Sequence, residues 1–189
     1  VILFYDGFEN DRIGSLPGNW SIRYSGNTLQ AVDSPVYAGS RAFMLRGNPS
    51  WVGSVTHSIS LNRDFSLEAW FYLPSGGLGR ETQGSIGYND GYRVQFIRNG
   101  DSTFQLKFAG DSSRYGSYSC NEWHRIELRV DTDSQKYRVL LDGSVVATKP
   151  CGNLDDRGIE LWSCNLHDSG AQRTVYFDEV KVAEGNYSF

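Results

Sequence analysis

Aromatic, amide and charged side chains recur at alternate positions along three short segments of this chain, a mixture suited to holding a sugar. Within residues 66–73 the polar parity carries Glu68, Trp70 and Tyr72; within 92–98 it carries Arg93 and Gln95; within 103–109 it carries Gln105 and Lys107. Rings stack on the apolar faces of saccharides while amides and charges bond the hydroxyls. Trp51, directly after Asn48-Pro49-Ser50, offers a loop-borne platform of the same kind. The competing reading is that these residues form the solvated outer face of an amphipathic sheet, or pack under a loop.

Other chemistry is sparse. His57, His124 and His167 show no partner spacing, and residues 158–162 offer one carboxylate, Glu160. Cys120, Cys151 and Cys164 match no CxxC zinc pattern. In a small, loop-rich chain they favour an oxidising compartment. The sequons at Asn19 and Asn186 permit glycosylation, whereas Asn48-Pro49-Ser50 is excluded by its proline. The acidic pairs Asp131/Asp133 and Asp155/Asp156 are turn residues.

The elements that must position these side chains are strands. With 189 residues, 39% of them hydrophobic, the chain has enough apolar material for one domain spanning residues 1–189. Short alternating segments end in Gly, Asn or Asp turns, which predicts an all-β, two-sheet antiparallel β-sandwich. Expected strands cover 66–73, 85–88, 92–98, 103–109, 123–131, 137–142, 144–149, 158–164 and 174–182. Asn89-Asp90-Gly91, Asn99-Gly100 and Asp142-Gly143 carry residues that tolerate positive φ in hairpins. The apolar parity places Leu67, Ala69, Phe71 and Leu73 on one face, and sets Tyr92, Val94 and Phe96 beside Phe104, Leu106 and Phe108. Only a short turn near 153–156 suggests helix. The net charge of −4 gives no basic footprint for nucleic acid. No apolar run approaches the ~20 residues that span a bilayer. The opening Val1-Ile2-Leu3-Phe4-Tyr5 reads as a first strand rather than a signal peptide.

Asn121-Glu122-Trp123-His124-Arg125-Ile126-Glu127-Leu128, followed by Val130-Asp131, Tyr137 and Leu141-Asp142-Gly143-Ser144, resembles the strand–strand–hairpin block of laminin-G-like and concanavalin-like jelly rolls. Phe65-Ser66-Leu67-Glu68-Ala69-Trp70 resembles an earlier central strand of that family. The ends, Tyr5-Asp6-Gly7-Phe8-Glu9 with Leu16-Pro17-Gly18-Asn19-Trp20, and Val175-Tyr176-Phe177-Asp178-Glu179-Val180, resemble the first and last strands of secreted carbohydrate-binding jelly rolls. The resemblance implies the fold, but that fold carries lectins, glycosidases, lyases, adhesion modules and structural domains alike. The Glu-x-Asp-x-x-Glu array of its glucanases is missing, and Gln95-Phe96 stands where the alginate-lyase pattern has Gln-x-His. Terminal strands commonly pair in such a fold. That would gather Asp6, Glu9 and Asp178, beside Glu179, into a structural Ca²⁺ clamp.

These readings favour a non-catalytic module, secreted or on the cell surface, that binds a polysaccharide or glycoprotein glycan. The runner-up is a structural subunit of a filament, pilus or surface layer that self-associates by strand pairing. A polysaccharide lyase or glycoside hydrolase comes third. Strand parity also yields a disulfide. If each strand from 123 onward crosses the sandwich fully, Cys120 and Cys164 finish at one end and Cys151 at the other. A bridge needs Cα atoms within ~7 Å, so Cys120–Cys164 is expected, with Cys151 unpaired and Cys151–Cys164 as the rival.

Overall fold

The computed structural model describes residues 1–48, 51–76, 82–154, 158–163 and 174–189. Its first strands are β1 (Ile2–Asp6), β2 (Ser21–Ser25), β3 (Thr28–Val32), β4 (Ala42–Arg46) and β5 (Gly53–Ser58). Next come β6 (Phe65–Tyr72), β7 (Thr82–Tyr88), β8 (Tyr92–Arg98), β9 (Thr103–Phe108) and β10 (Tyr115–Ser119). The last are β11 (Trp123–Asp131), β12 (Lys136–Leu141), β13 (Ser144–Pro150), β14 (Gly158–Ser163) and β15 (Thr174–Glu184). Among the described residues there is no helix, and the turn expected near 153–156 is not helical at Asn153 or Leu154; Asp155 and Asp156 lie outside the described residues.

The strands form two antiparallel sheets. One runs β13-β12-β11-β6-β15-β4-β3, with β1 added on β15; the other runs β10-β9-β8-β7-β14-β5-β2. The terminal strands do pair, with Asp6 opposite Val180. Alternation produces the core directly: in β9, and in β11 as far as Val130, the buried residues fall on every second position. Phe71 of one sheet stacks on Phe96 of the other at 3.9 Å between ring centroids, and Phe104, Leu106, Phe108, Val94 and Phe177 join the same cluster. Burying a large apolar side chain contributes roughly 1.5–3 kcal/mol, so this shared layer is what holds the sheets face to face. The Asp142-Gly143 hairpin takes positive φ at both residues, as its sequence requires.

Two expectations are corrected here. The ligand face expected from alternation combined β6 with β8 and β9, but β6 belongs to one sheet and β8 and β9 to the other. Glu68, Trp70 and Tyr72 therefore lie on the opposite side of the sandwich from Arg93, Gln95, Gln105 and Lys107. The second concerns the disulfide. Cys120 and Cys151 are free thiols, and Cys164 lies outside the described residues. At the described end of β14, Ser163 faces Gly84, and neighbouring Gln83 accepts from Arg98, which also donates to Cys120 Sγ at 3.4 Å. The Cys120 sulfur is drawn into the core beneath Arg98 rather than into a bridge. Burial raises that thiol above its ordinary range, and burial pushes Cys151 up to about 12, so both stay protonated.

Candidate saccharide face

The outer face of the β10-to-β2 sheet collects the polar parity of six strands. Cross-strand register sets Lys107 opposite Gln95, Gln95 opposite Ser85, Ser85 opposite Trp162, Trp162 opposite Ser54 and Ser54 opposite Tyr24. This line crosses the strands at right angles, and five intervals of ~4.8 Å make it about 24 Å long. One row further along, Arg93 faces Gly87 and Gly87 faces Glu160. Gly87 is required there: its φ is 138°, and an added Cβ would meet the Tyr92 carbonyl oxygen at 2.2 Å. With no side chain at Gly87, Arg93 reaches across the sheet, donating to Asn89 Oδ1 at 2.9 Å and lying 4.7 Å over the Trp162 ring.

Glu160 forms the floor of this face. It is fully buried, and its Oε2 accepts from Arg23 Nη1 at 2.8 Å across the sheet. Among the described residues its Oε1, and the Ser54 hydroxyl nearby, make no hydrogen bond of good geometry. Burial raises the Glu160 acid above the usual carboxylate range, and the Arg23 charge opposes that shift. Trp162 packs with Val52 and Tyr24, and Tyr24 meets Trp51 edge-to-face at 5.6 Å. Trp51 is 47% exposed. The face thus has a buried acidic and aromatic floor, a guanidinium layer above it, amide and ammonium groups at one end, and an exposed indole at the other.

Of the sequence-derived saccharide residues, the structure sets Arg93, Gln95, Gln105 and Lys107 on the adjacent strands β8 and β9 and puts Trp51 beside Tyr24 at the far end of the same sheet. Gln105 donates to the Gly116 carbonyl at 2.9 Å, so its amide also serves the β9–β10 pair. The other three pack differently. Trp70 stacks on Tyr37 at 3.8 Å, Tyr72 contacts Trp123 and Tyr176, and Glu68 pairs with Lys181 at 3.3 Å. Trp70 lies against the β3–β4 connection, so one of its faces is already occupied.

The expected metal residues are distributed over two places. Asp6 accepts from Phe8 N, Asn19 Nδ2 and Trp20 Nε1. Glu9 accepts from Ser40 N, Ser40 Oγ and Arg41 N, while Asp178 accepts from Tyr37 N and Ala38 N. Glu9 and Asp178 therefore grip one segment, residues 37–41, and Asp6 braces another. Burial pushes the Asp178 acid up to about 6. Tyr5 donates to Glu179 Oε1 and is pushed up to about 12 by burial, then by Glu179, Asp178 and Glu9. Among the described residues no three His, Cys, Asp or Glu side chains gather as a metal site. A polar cavity of about 490 Å³ opens beside Asp6, Glu9, Asp11 and Asn19.

The two described histidines are held by packing and by backbone or carboxylate partners. His57 stacks on Phe4, and its Nδ1 meets the Asn19 carbonyl. Both ring nitrogens of His124 are engaged, by Asp142 and the Ser119 carbonyl, and His167 lies outside the described residues.

No family model and no curated protein matches the sequence. Solved structures match the fold. The cellulose-induced protein Cip1 superposes with a TM-score of 0.67 at 16% identity, over 96% of this chain and 97% of that one. A carbohydrate-binding module from Bacillus subtilis, CBM66, gives 0.55 at 12% identity, over 87% and 94%. A sialidase gives 0.65 at 13% identity over 88% of this chain, which spans 17% of the sialidase's length. The fold is a concanavalin-like jelly roll. At such identities the likeness is one of fold, and the names of these jelly rolls divide between binding modules and enzymes.

Sequence reasoning missed Arg23, Tyr24, Glu160 and Trp162 as members of this face. The one available signal was Glu160 itself, a charge inside the otherwise apolar run Ile159-Glu160-Leu161-Trp162. A buried carboxylate must find a partner, and that partner is supplied by β2, far away in sequence.

Proposed function

We propose that this jelly roll is a non-catalytic glycan-binding module, working in a secreted or cell-surface setting where polymeric glycans are met. The observation that carries the reading is the line Lys107–Gln95–Ser85–Trp162–Ser54–Tyr24 with Arg93 and Trp51 beside it. The middle of the line, Ser85, Trp162 and Ser54, is buried, so the groups offered to a sugar are the partly exposed Arg93, Gln95 and Lys107 at one end and Tyr24 and Trp51 at the other, a polar and an aromatic contact. Jelly rolls named as carbohydrate-binding modules, among them a xylan-binding domain from Paenibacillus barcinonensis, support a saccharide ligand. A binding role is favoured over hydrolysis because the described side chains of this face hold one carboxylate, whereas glycoside hydrolysis uses two. A polysaccharide array tests the reading. Trp51→Ala and Gln95→Ala should weaken retention without lowering the melting temperature. Unchanged retention in both, or no retention of the parent protein, overturns it.

A second reading is favoured by one edge. β1 leaves Ile2 and Tyr5 62% and 51% exposed, a partly apolar terminal strand of the kind that pairs with another chain. Sedimentation velocity at rising concentration reads this directly: assembly without glycan supports a structural subunit, and a concentration-independent monomer removes it.

A further inference from the structure

We infer that this face recognises its glycan by length: it holds an extended stretch of several sugars at two separated points and gives little affinity to a single sugar or a disaccharide. The inference rests on the glycan-binding reading above. Two groups of contacts are offered. At one end Gln95 and Lys107 stand directly opposite each other on β8 and β9, both partly exposed. Among the described residues their amide and ammonium groups enter no hydrogen bond or ion pair. At the other end Trp51 is 47% exposed and meets the less open ring of Tyr24 edge-to-face. One end can bond hydroxyls, and the other can stack on the apolar face of a sugar ring.

Between these ends the sheet offers little. Ser85 and Trp162 are 3% and 6% exposed, and Ser54 is fully buried. The two guanidinium groups of this region are committed within the protein: Arg93 lies over the Trp162 ring and donates to Asn89, and Arg23 donates to Glu160. The nearest members of the two groups, Gln95 and Tyr24, are separated by four strand intervals, about 19 Å. A disaccharide is too short to touch both, so it gains either one ring or one pair of polar side chains. A longer chain lying across the strands gains both. Once one end is engaged, the second contact forms within the complex, at an effective concentration set by the sugars between, and the two weak contacts multiply. A chain of linked rings also pays less ordering cost than a flexible linker of the same reach.

The test is titration calorimetry of the whole chain with paired probes: xylobiose and xylohexaose, cellobiose and cellohexaose, digalacturonate and hexagalacturonate. A hexamer held at one end only gains a few extra registers over its dimer. A preference of at least about thirtyfold in one of the pairs therefore requires both ends, and that is the expected result. Trp51→Ala and Gln95→Ala, at opposite ends of the line, should each keep the parent melting curve and each remove most of that preference. Dimer and hexamer binding within a few fold of each other in every pair that binds overturns the length inference and leaves the glycan reading standing. A hexamer preference that survives either variant also overturns it, because one end would then suffice or the chain would be held elsewhere. Failure of all six probes removes both the inference and the reading beneath it.

Discussion

Arg23→Ala and Glu160→Gln break the same ion pair, yet the structure requires them to differ in cost. Glu160 is fully buried with one oxygen already lacking a partner, and its other oxygen depends on Arg23. Removing Arg23 strands a carboxylate in the sheet. Breaking a fully buried pair from one side costs about 3–5 kcal/mol. The Arg23 side chain is 36% exposed, so water recovers part of that, leaving about 2–3 kcal/mol. Glu160→Gln keeps the volume and an oxygen for Arg23 while removing the buried charge, and should cost no more than about 1 kcal/mol. For a chain of this size 1 kcal/mol moves the melting temperature by about 2–4 °C. The alanine variant should therefore melt roughly 5–10 °C lower, and the glutamine variant within about 4 °C of the parent.

The pH dependence has a definite sign. The Glu160 acid is raised in the fold, by burial with Arg23 in opposition, so the ionised form is the costly one. The cost is absent below the unfolded carboxylate value of about 4.3, grows as pH rises through the folded value, and is complete above it. Without Arg23 the folded value rises further, so the Arg23→Ala deficit should shrink between about pH 7.5 and about pH 5. Urea unfolding of parent and both variants at the two pH values measures this. An Arg23→Ala deficit no larger than that of Glu160→Gln, or one equal at both pH values, would refute the stranded-carboxylate argument.

Three further outcomes are expected. Trp51→Ala should cost about 1 kcal/mol or more of glycan affinity with an unchanged melting curve, whereas Trp70→Ala should leave affinity intact and lower stability through the lost Tyr37 stack; the reverse pattern in paired titrations and melts would move the site to the other sheet. Gly87→Ala forces a Cβ to within 2.2 Å of a backbone oxygen at φ 138° and should destabilise by roughly 1–3 kcal/mol; a parent-like melt would contradict the β7–β8 register. Calcium is proposed to raise the melting temperature by tying Glu9 and Asp178, which already grip residues 37–41, together with carbonyls or water. Coincident melts in calcium and in chelator would dismiss that ion.

The divide between what the residues disclosed and what they concealed follows range. Alternation is a local property, and it placed Leu67, Phe71, Val94, Phe96, Phe104 and Phe108 in the core without error. Hairpins are also local, so the β8–β9 pairing was legible from the Asn99-Gly100 turn, though its register was not: Arg98 faces Phe104, across a loop longer than those two residues. Which sheet a strand joins is not local. β6 is hydrogen-bonded to β11 and β15, both distant in sequence, and nothing in Glu68-Ala69-Trp70 distinguishes the two sides of a sandwich. Parity therefore identified outward residues but merged two outward faces into one.

The same limit explains the floor of the site. Every residue of β14 is buried, and the strand is central in its sheet, between β7 and β5; its sequence consequently reads as core, with Glu160 as an anomaly. The anomaly has its resolution 137 positions away at Arg23, on an edge strand that alternation did not declare. A carboxylate in a fully buried strand is tolerated only if a cation reaches it, and here that cation comes from the edge strand β2. The ion pair thus does two things at once: it stabilises the buried acid, and it fixes a guanidinium on the outer face beside Trp162 and Tyr24. The pair itself carries no net charge; it is how a buried glutamate is accommodated in this sheet.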